Sequence, residues 1–301
     1  MITAEEFRQL HTTDAHNHLN LGMSYDSYVQ WAGFYIPDFP RPLAGLGEMH
    51  EIIGEYTRPR TKTADDVEHL LSMSIEAAIA DHVQELEGSI DIGFINHCGS
   101  IDRFLTLTDR LHQTYGSRIA LRFELGMGKT FDIAKIREWA PPCLESGLFK
   151  GIDLYGPEVE EGLEDFVPIY NTAAQLGIKR KAHVGEFSDA HSVERFIEVF
   201  NLDEVQHGLG AAQDERVMQL IKDRNIRLNI TPASNVMLKR IVRLEDHPMR
   251  TLFDAGIRIA LGTDDLLFFG RTISEQCADL VNCGLFTKEE VIRMAVQNQP
   301  Q

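Results

Sequence analysis

The sequence predicts a (β/α)8 TIM barrel with a helical cap inserted after strand 1, and three observations carry that expectation. Short β-type runs recur eight times along the chain, stretches of helical spacing separate them, and each cluster of residues with metal-ligand chemistry closes one of the runs. Alternation of this kind specifies parallel strands joined by crossover helices, and eight such units close into a barrel. In that architecture the chemistry gathers where strands end, on the C-terminal face.

The runs, in order, are Thr12 to Leu19, Ile90 to Asn96, Ile119 to Glu124, Gly151 to Tyr155, Arg180 to His183, Glu204 to His207, Arg227 to Thr231 and Arg258 to Gly262. Helical spacing fills the intervals at Thr172 to Leu176 with its neighbours, Ala190 to Phe200, Asp214 to Arg224 and Met249 to Ala255, with Lys288 to Val296 following the last run. The connection from about Asn20 to Gly88 is too long for one loop and helix. It holds Tyr25, Tyr28, Trp31, Phe34, Tyr35 and Phe39 and a proline-rich bend at Pro37, Pro40 and Pro42, and is expected to cap the barrel mouth. Packing of these aromatics against the barrel is as good an account as substrate contact, and none is assigned to the site. Residues 1–301 are expected to form one domain, with the cap at about 20–88.

The chain of 301 residues is 43% hydrophobic, enough to bury one large core. Its net charge of −17, from 29 basic and 46 acidic residues, disfavours a nucleic-acid partner and an anionic membrane surface. A small-molecule substrate fits better. The polar, acidic start Met1-Ile2-Thr3-Ala4-Glu5-Glu6 and the absence of any long apolar run predict a cytoplasmic protein. Cys98, Cys143, Cys277 and Cys283 form no CxxC pair and are expected to be reduced thiols.

The chemistry-bearing residues are His16-Asn17-His18, His183-Val184-Gly185-Glu186, His207-Gly208 and Thr263-Asp264-Asp265. Alternate residues of a strand share a face, so His-x-His sets two imidazoles side by side on one wall. A third histidine and a carboxylate, each closing another run, complete a three-nitrogen, one-oxygen set that suits zinc and leaves a position for water. Single histidines in other contexts, at His11, His50, His69, His82, His112, His191 and His247, are read as core or surface residues, and His97 is left out of the site. Ser234-Asn235 is read as a cap of the helix that follows.

Taken in order, Asp14-Ala15-His16-Asn17-His18, Ile152-Asp153-Leu154-Tyr155-Gly156, His183-Val184-Gly185-Glu186, Gln206-His207-Gly208, Thr231-Pro232-Ala233-Ser234-Asn235 and Gly262-Thr263-Asp264-Asp265 resemble the adenosine deaminase family of the amidohydrolase superfamily. The resemblance spans His16 to about Leu267, and it is the joint order and spacing that is specific. It implies one Zn2+ ion held by His16, His18, His183 and Asp264, and a metal-bound hydroxide that deaminates a 6-aminopurine compound through a tetrahedral intermediate. Glu186 would protonate the ring nitrogen beside the attacked carbon, and its pKa would be raised by burial. His207 would orient or deprotonate the water, and Asp264 would share in proton transfer. Asp265 and the backbone N–H of Gly156 would bind ring nitrogens. Binuclear relatives carry a lysine late in the fourth strand; here the nearby Lys150 precedes Gly151 to Tyr155, which favours one metal.

Two departures bear on the substrate. Nucleoside deaminases of this family have a sugar-binding aspartate where this chain has Asn20, so Asn20 is expected to contact a modified sugar, a bare base or another substituent. The proline usual after the paired aspartates gives way to Leu266-Leu267-Phe268-Phe269, and the chain stops at Gln301, short of further helices in fuller members. An amidohydrolase acting on a non-purine amidine, amide or lactone with the same metal site is the alternative reading; a scaffold without turnover is disfavoured, because both Glu186 and His207 are present.

Overall fold

In a computed structural model, which describes residues 1–37 and 39–297, strand β1 (Thr13–His18) opens a parallel sheet that nearly closes on itself. Residues 38 and 298–301, included in the expected single domain, lie outside the described residues. The further strands are β2 (Glu85–Asp91), β3 (Ala120–Leu121), β4 (Glu124–Gly128), β5 (Gly151–Tyr155), β6 (Lys179–Val184), β7 (Glu204–His207), β8 (Arg227–Ile230) and β9 (Arg258–Leu261). Pairing runs β1-β2-β4-β5-β6-β7-β8-β9, with the two-residue β3 pairing β2, so eight positions make the expected barrel. A bridge between Asn17 and Asp264 joins β1 to the segment after β9, through Asp264 N–H to the His16 carbonyl (2.8 Å) and His18 N–H to the Asp264 carbonyl (3.2 Å).

Two expected runs differ from what forms. The second strand is Glu85–Asp91, whereas the run expected there, Ile90 to Asn96, is helical from Ile92 onward. Within this strand Glu87 is buried and pairs with Lys181 and Arg227 across the barrel. The run Ile119 to Glu124 is divided between β3 and β4.

The crossover helices follow local rules. Ala190–Phe200 buries Ala190, Val193, Phe196, Ile197 and Phe200, one face at helical spacing, and begins where Asp189 accepts the Ser192 N–H (3.0 Å). It ends at Asn201 in the left-handed region. Within the 20–88 stretch, Ala64–Ala80 buries Val67, Leu71, Ile75 and Ala78 in the main core, and is the barrel's own first crossover helix. The cap over the mouth is therefore shorter. Its helices Tyr25–Ala32 and Leu46–Ile52 join Met23, Leu43, Leu267, Phe268 and Phe269 in a second core, so three of the four apolar residues after Asp265 form the surface on which the cap rests.

The barrel interior is graded along its axis. At the N-terminal end Lys181 pairs with Glu87, Glu124 and Glu204, and Arg227 with Glu87 and Glu204. Above them Asn229 donates to Gln206 (2.8 Å). At the C-terminal end stand the imidazoles and carboxylates of the motifs. Among the described residues no helix is long and apolar enough to cross a membrane.

Candidate active site

β1 ends with His16 and His18, whose rings lie 5.4 Å apart, and β6 brings His183 within 4.7 Å of His16 and 5.1 Å of His18. β7 ends in His207, 4.8 Å from His16 and 5.1 Å from His183. Asp264, after β9, sets Oδ1 3.7 Å from His16 Nε2 and 3.6 Å from His18 Nε2. His207 and Asp264 both have positive φ, +67° and +60°, a conformation uncommon for residues with side chains and concentrated at functional sites.

Donor atoms within 4.8 Å of one another come from His16, His18 and His183; from His16, His207 and Asp264; and from His18, Asp264 and Asp265. The expected quartet is thus split, with His183 in the first group and Asp264 in the other two. His183 Nε2 lies 3.2 Å from Asp153 Oδ2. The donors suit a divalent metal such as zinc: imidazole and carboxylate are its ordinary ligands, and His16 Nε2 is buried without a hydrogen-bond partner. The Ser89 hydroxyl is 2.9 Å from His18 Nδ1, a contact that orients the ring with Nε2 toward Asp264.

Burial, with the neighbouring histidines, holds His16 and His207 well below the usual imidazole range and His18 down to about 3. Neutral rings have the lone pairs a metal needs. At His183 burial opposes protonation, but the charge and hydrogen bond of Asp153 outweigh it and raise the ring above its ordinary value. Burial, then the charges of Asp264 and Glu158, raise Glu186 well above the carboxylate range; burial, Asp264 and Glu186 do the same to Asp265. Glu186 Oε2 is 3.6 Å from His207 Nε2, and Asp265 Oδ1 is buried without a partner. Gly156, φ +112°, follows β5, and Asn20 is half-buried in the turn after β1.

Several contributors escaped the sequence reading. Asn235 does not cap its helix; its Nδ2 donates to Glu186 Oε1 (2.8 Å). Glu158, just beyond Gly156, accepts the backbone N–H groups of Gly185, Glu186, Phe187 and Ser188 and the Ser188 hydroxyl, and so holds the loop that carries Glu186. Asp14 accepts the Thr263 N–H (3.0 Å) and hydroxyl and the Asn17 amide (3.1 Å), which ties β1 to the segment bearing Asp264. A signal existed for Asp14 and Asp153, which stand two places before His16 and Tyr155 in motif-bearing strands. None existed for Glu158 or His247.

An eight-stranded parallel barrel with clustered imidazoles and buried carboxylates at its C-terminal mouth is the frame of a metal-dependent hydrolase. The family model described as "Adenosine deaminase" matches residues 119–299. The chain is 54% identical over 289 residues, 96% of its length and 97% of the relative's, to a putative adenosine/adenine deaminase of Treponema pallidum (strain Nichols). Its fold is similar to the adenine deaminase of Arthrobacter aurescens (TM-score 0.80, 20% identity, 95% of this chain and 91% of that one). It is also similar to a zinc-bound amidohydrolase from Burkholderia ambifaria (TM-score 0.78, 20% identity, 98% and 87%). The chain belongs to the adenosine deaminase family.

Proposed function

We propose that this protein hydrolytically deaminates a 6-aminopurine compound, an adenine or adenosine derivative, with one zinc ion held by His16, His18, His183 and Asp264. The observation that carries the reading is the convergence of Glu186, His207, Asp264 and Asp265 beside three histidines, in a chain whose near full-length relative is named for adenosine and adenine. Zinc would supply the Lewis acidity that makes water a nucleophile near neutral pH.

This chain's own groups do the rest. Glu186, kept protonated by burial and by Asp264 and Glu158, delivers a proton to the ring nitrogen beside C6. His207, neutral and buried, takes a proton from the attacking water and steadies the negative oxygen that forms. Asp265, whose Oδ1 lacks a protein partner, bonds a second ring nitrogen, and Gly156 offers its N–H from the opposite edge. A C–O bond forms at C6, the proton held by His207 passes to the amino nitrogen, the C–N bond breaks and ammonia leaves, and the C6 hydroxyl gives up its proton to restore Glu186 as the new C=O forms. Asn20 faces the substituent on the purine, where an amide in place of a carboxylate alters which sugar or other group is accepted.

The test is ammonia release by zinc-loaded protein from adenine, adenosine, other 6-aminopurines, pterins and cytosine compounds, with Glu186→Gln as control. Release from one purine class, absent in the control, is expected. Release from none of the purines by the zinc-loaded protein overturns the reading.

A further inference from the structure

Asn235 and His247 are buried and join Glu186 to the backbone in an unbroken line of hydrogen bonds. The Met249 N–H reaches His247 Nδ1 (3.1 Å), His247 Nε2 reaches Asn235 Oδ1 (3.1 Å), and Asn235 Nδ2 reaches Glu186 Oε1 (2.8 Å). His247 is 2% exposed and Asn235 fully buried, so water cannot substitute for any of these partners.

The direction of every bond follows from the first. A backbone N–H can only donate, so His247 Nδ1 must be the bare nitrogen and Nε2 must carry the hydrogen. Nε2–H requires an acceptor, which turns the Asn235 carbonyl toward it and leaves the Asn235 NH2 to face Glu186. Glu186 Oε1 then accepts from an amide, the role of the carbonyl oxygen of a carboxylic acid, which leaves Oε2 as the seat of the proton. Burial, which keeps the His247 ring down to about 3, excludes the doubly protonated form that would blur the sequence of donors.

We propose that Met249, His247 and Asn235 form a polarity relay that dictates which oxygen of Glu186 carries its proton, reserving Oε1 as an acceptor and confining the proton to Oε2, on the His207 side. His247 and Asn235 are positioning residues. The proposal rests on Glu186 serving as the ring-nitrogen acid, and it adds that the acid is presented with one orientation only. A carboxylic acid whose proton sits on the far oxygen cannot deliver it without first turning over.

The experiment compares wild type, His247→Leu and His247→Gln in zinc-loaded protein. Glutamine retains a donor at the position of Nε2; leucine fills the space and removes it, so Asn235 can turn its carbonyl to Oε1 and capture the proton there. His247→Leu is expected to lower kcat on the order of 10- to 100-fold, a part of the roughly 10²–10⁴-fold that a general acid contributes, with KM within about twofold. His247→Gln recovers most of that loss. Equal kcat in leucine and glutamine variants overturns the relay, since packing alone would then account for the site.

Two readings need no turnover. In histidine-15N-labelled wild type the His247 ring, identified by its absence from His247→Gln, should be the neutral Nε2–H form, and the Nδ1–H form overturns the proposal. The carboxylic C=O stretch of Glu186, identified by its loss in Glu186→Gln, should shift in His247→Leu and not in His247→Gln; an unmoved band overturns it. If wild type releases no ammonia from any 6-aminopurine, the deaminase reading falls, and these two spectra still decide the relay.

Discussion

Gly262 is a position where one added methyl group should do large damage. A Cβ added there would sit 2.5 Å from His16 Cβ, 2.7 Å from the His16 carbonyl oxygen and 2.9 Å from the His16 nitrogen. Carbon contacts settle near about 3.5–4.0 Å, so Gly262→Ala must push β1 and the β9 end apart by roughly 1 Å. Two of the three obstructing atoms are backbone, so no side-chain rotation relieves the clash. Overpacking of a tight core costs about 1–3 kcal/mol, and straining the His16–Asp264 and His18–Asp264 backbone hydrogen bonds adds on the order of 1 kcal/mol. At about 2–4 °C per kcal/mol for a domain of roughly this size, a total of about 2–4 kcal/mol lowers Tm by on the order of 5–10 °C. The same displacement would pull Asp264 away from His16 and His18, so affinity for the proposed zinc should fall with stability. Thermal unfolding and metal analysis of Gly262→Ala measure both, with Gly47→Ala, a helical site with no atom within 4 Å of the added carbon, as the control that should not destabilise. A Gly262→Ala protein with unchanged Tm and full zinc content would refute the close-approach argument.

Glu186→Gln should keep zinc and lose turnover by about 10²–10⁴-fold, because it removes a proton donor and no metal donor; loss of zinc measured by metal analysis contradicts its role as acid. His18→Ala should lose metal and activity together, and full turnover with bound zinc would sink its assignment as ligand. Burial depresses the folded pKa of His247 to about 3 from an ordinary value near 6.5, so the stability it contributes is complete above about pH 6.5 and is lost as pH falls toward 3. Denaturant unfolding should find that wild type loses about 2 kcal/mol more than His247→Gln between pH 7.5 and pH 5, and parallel pH profiles for the two would disprove this. Lys181→Met removes the cation paired with Glu124 and leaves Arg227 as the cation that bridges Glu87 and Glu204, and should cost about 3–5 kcal/mol; a near-neutral effect in the same unfolding experiment would refute the buried-pair argument.

Local signals carried the sequence reading far where one residue's role depends on its near neighbours. The spans Gly151–Tyr155, Glu204–His207 and Ala190–Phe200 form as expected because apolar periodicity and flanking turns decide them. The strand at Glu85–Asp91 was illegible because its buried Glu87 is neutralised by Lys181 and Arg227, 94 and 140 positions away. Asn235 looked like a helix cap for the same reason: its partner, Glu186, is 49 residues distant. Histidine pairs on one strand announce themselves, whereas a histidine such as His247, which acts through an amide on another segment, resembles any buried ring. The motifs marked the candidate reactive groups, and the groups that hold them came into view only with the fold.

The barrel seam has a consequence for how the chain stays folded. Asp14 and Thr263, bonded across it, stand 249 positions apart, and the histidines of β1 face Asp264 over the same gap. A metal ion shared by those residues, as proposed, would be a cross-link between the two ends of the barrel, comparable in topology to a disulfide around a loop of that size. Closing a 100-residue loop in this way is worth about 4.7 kcal/mol in chain entropy, and longer loops slightly more. Chelation would then act as the cutting of a staple: the ring of strands could open at β1 and β9 first, and the catalytic mouth would be the first part of the protein to come undone.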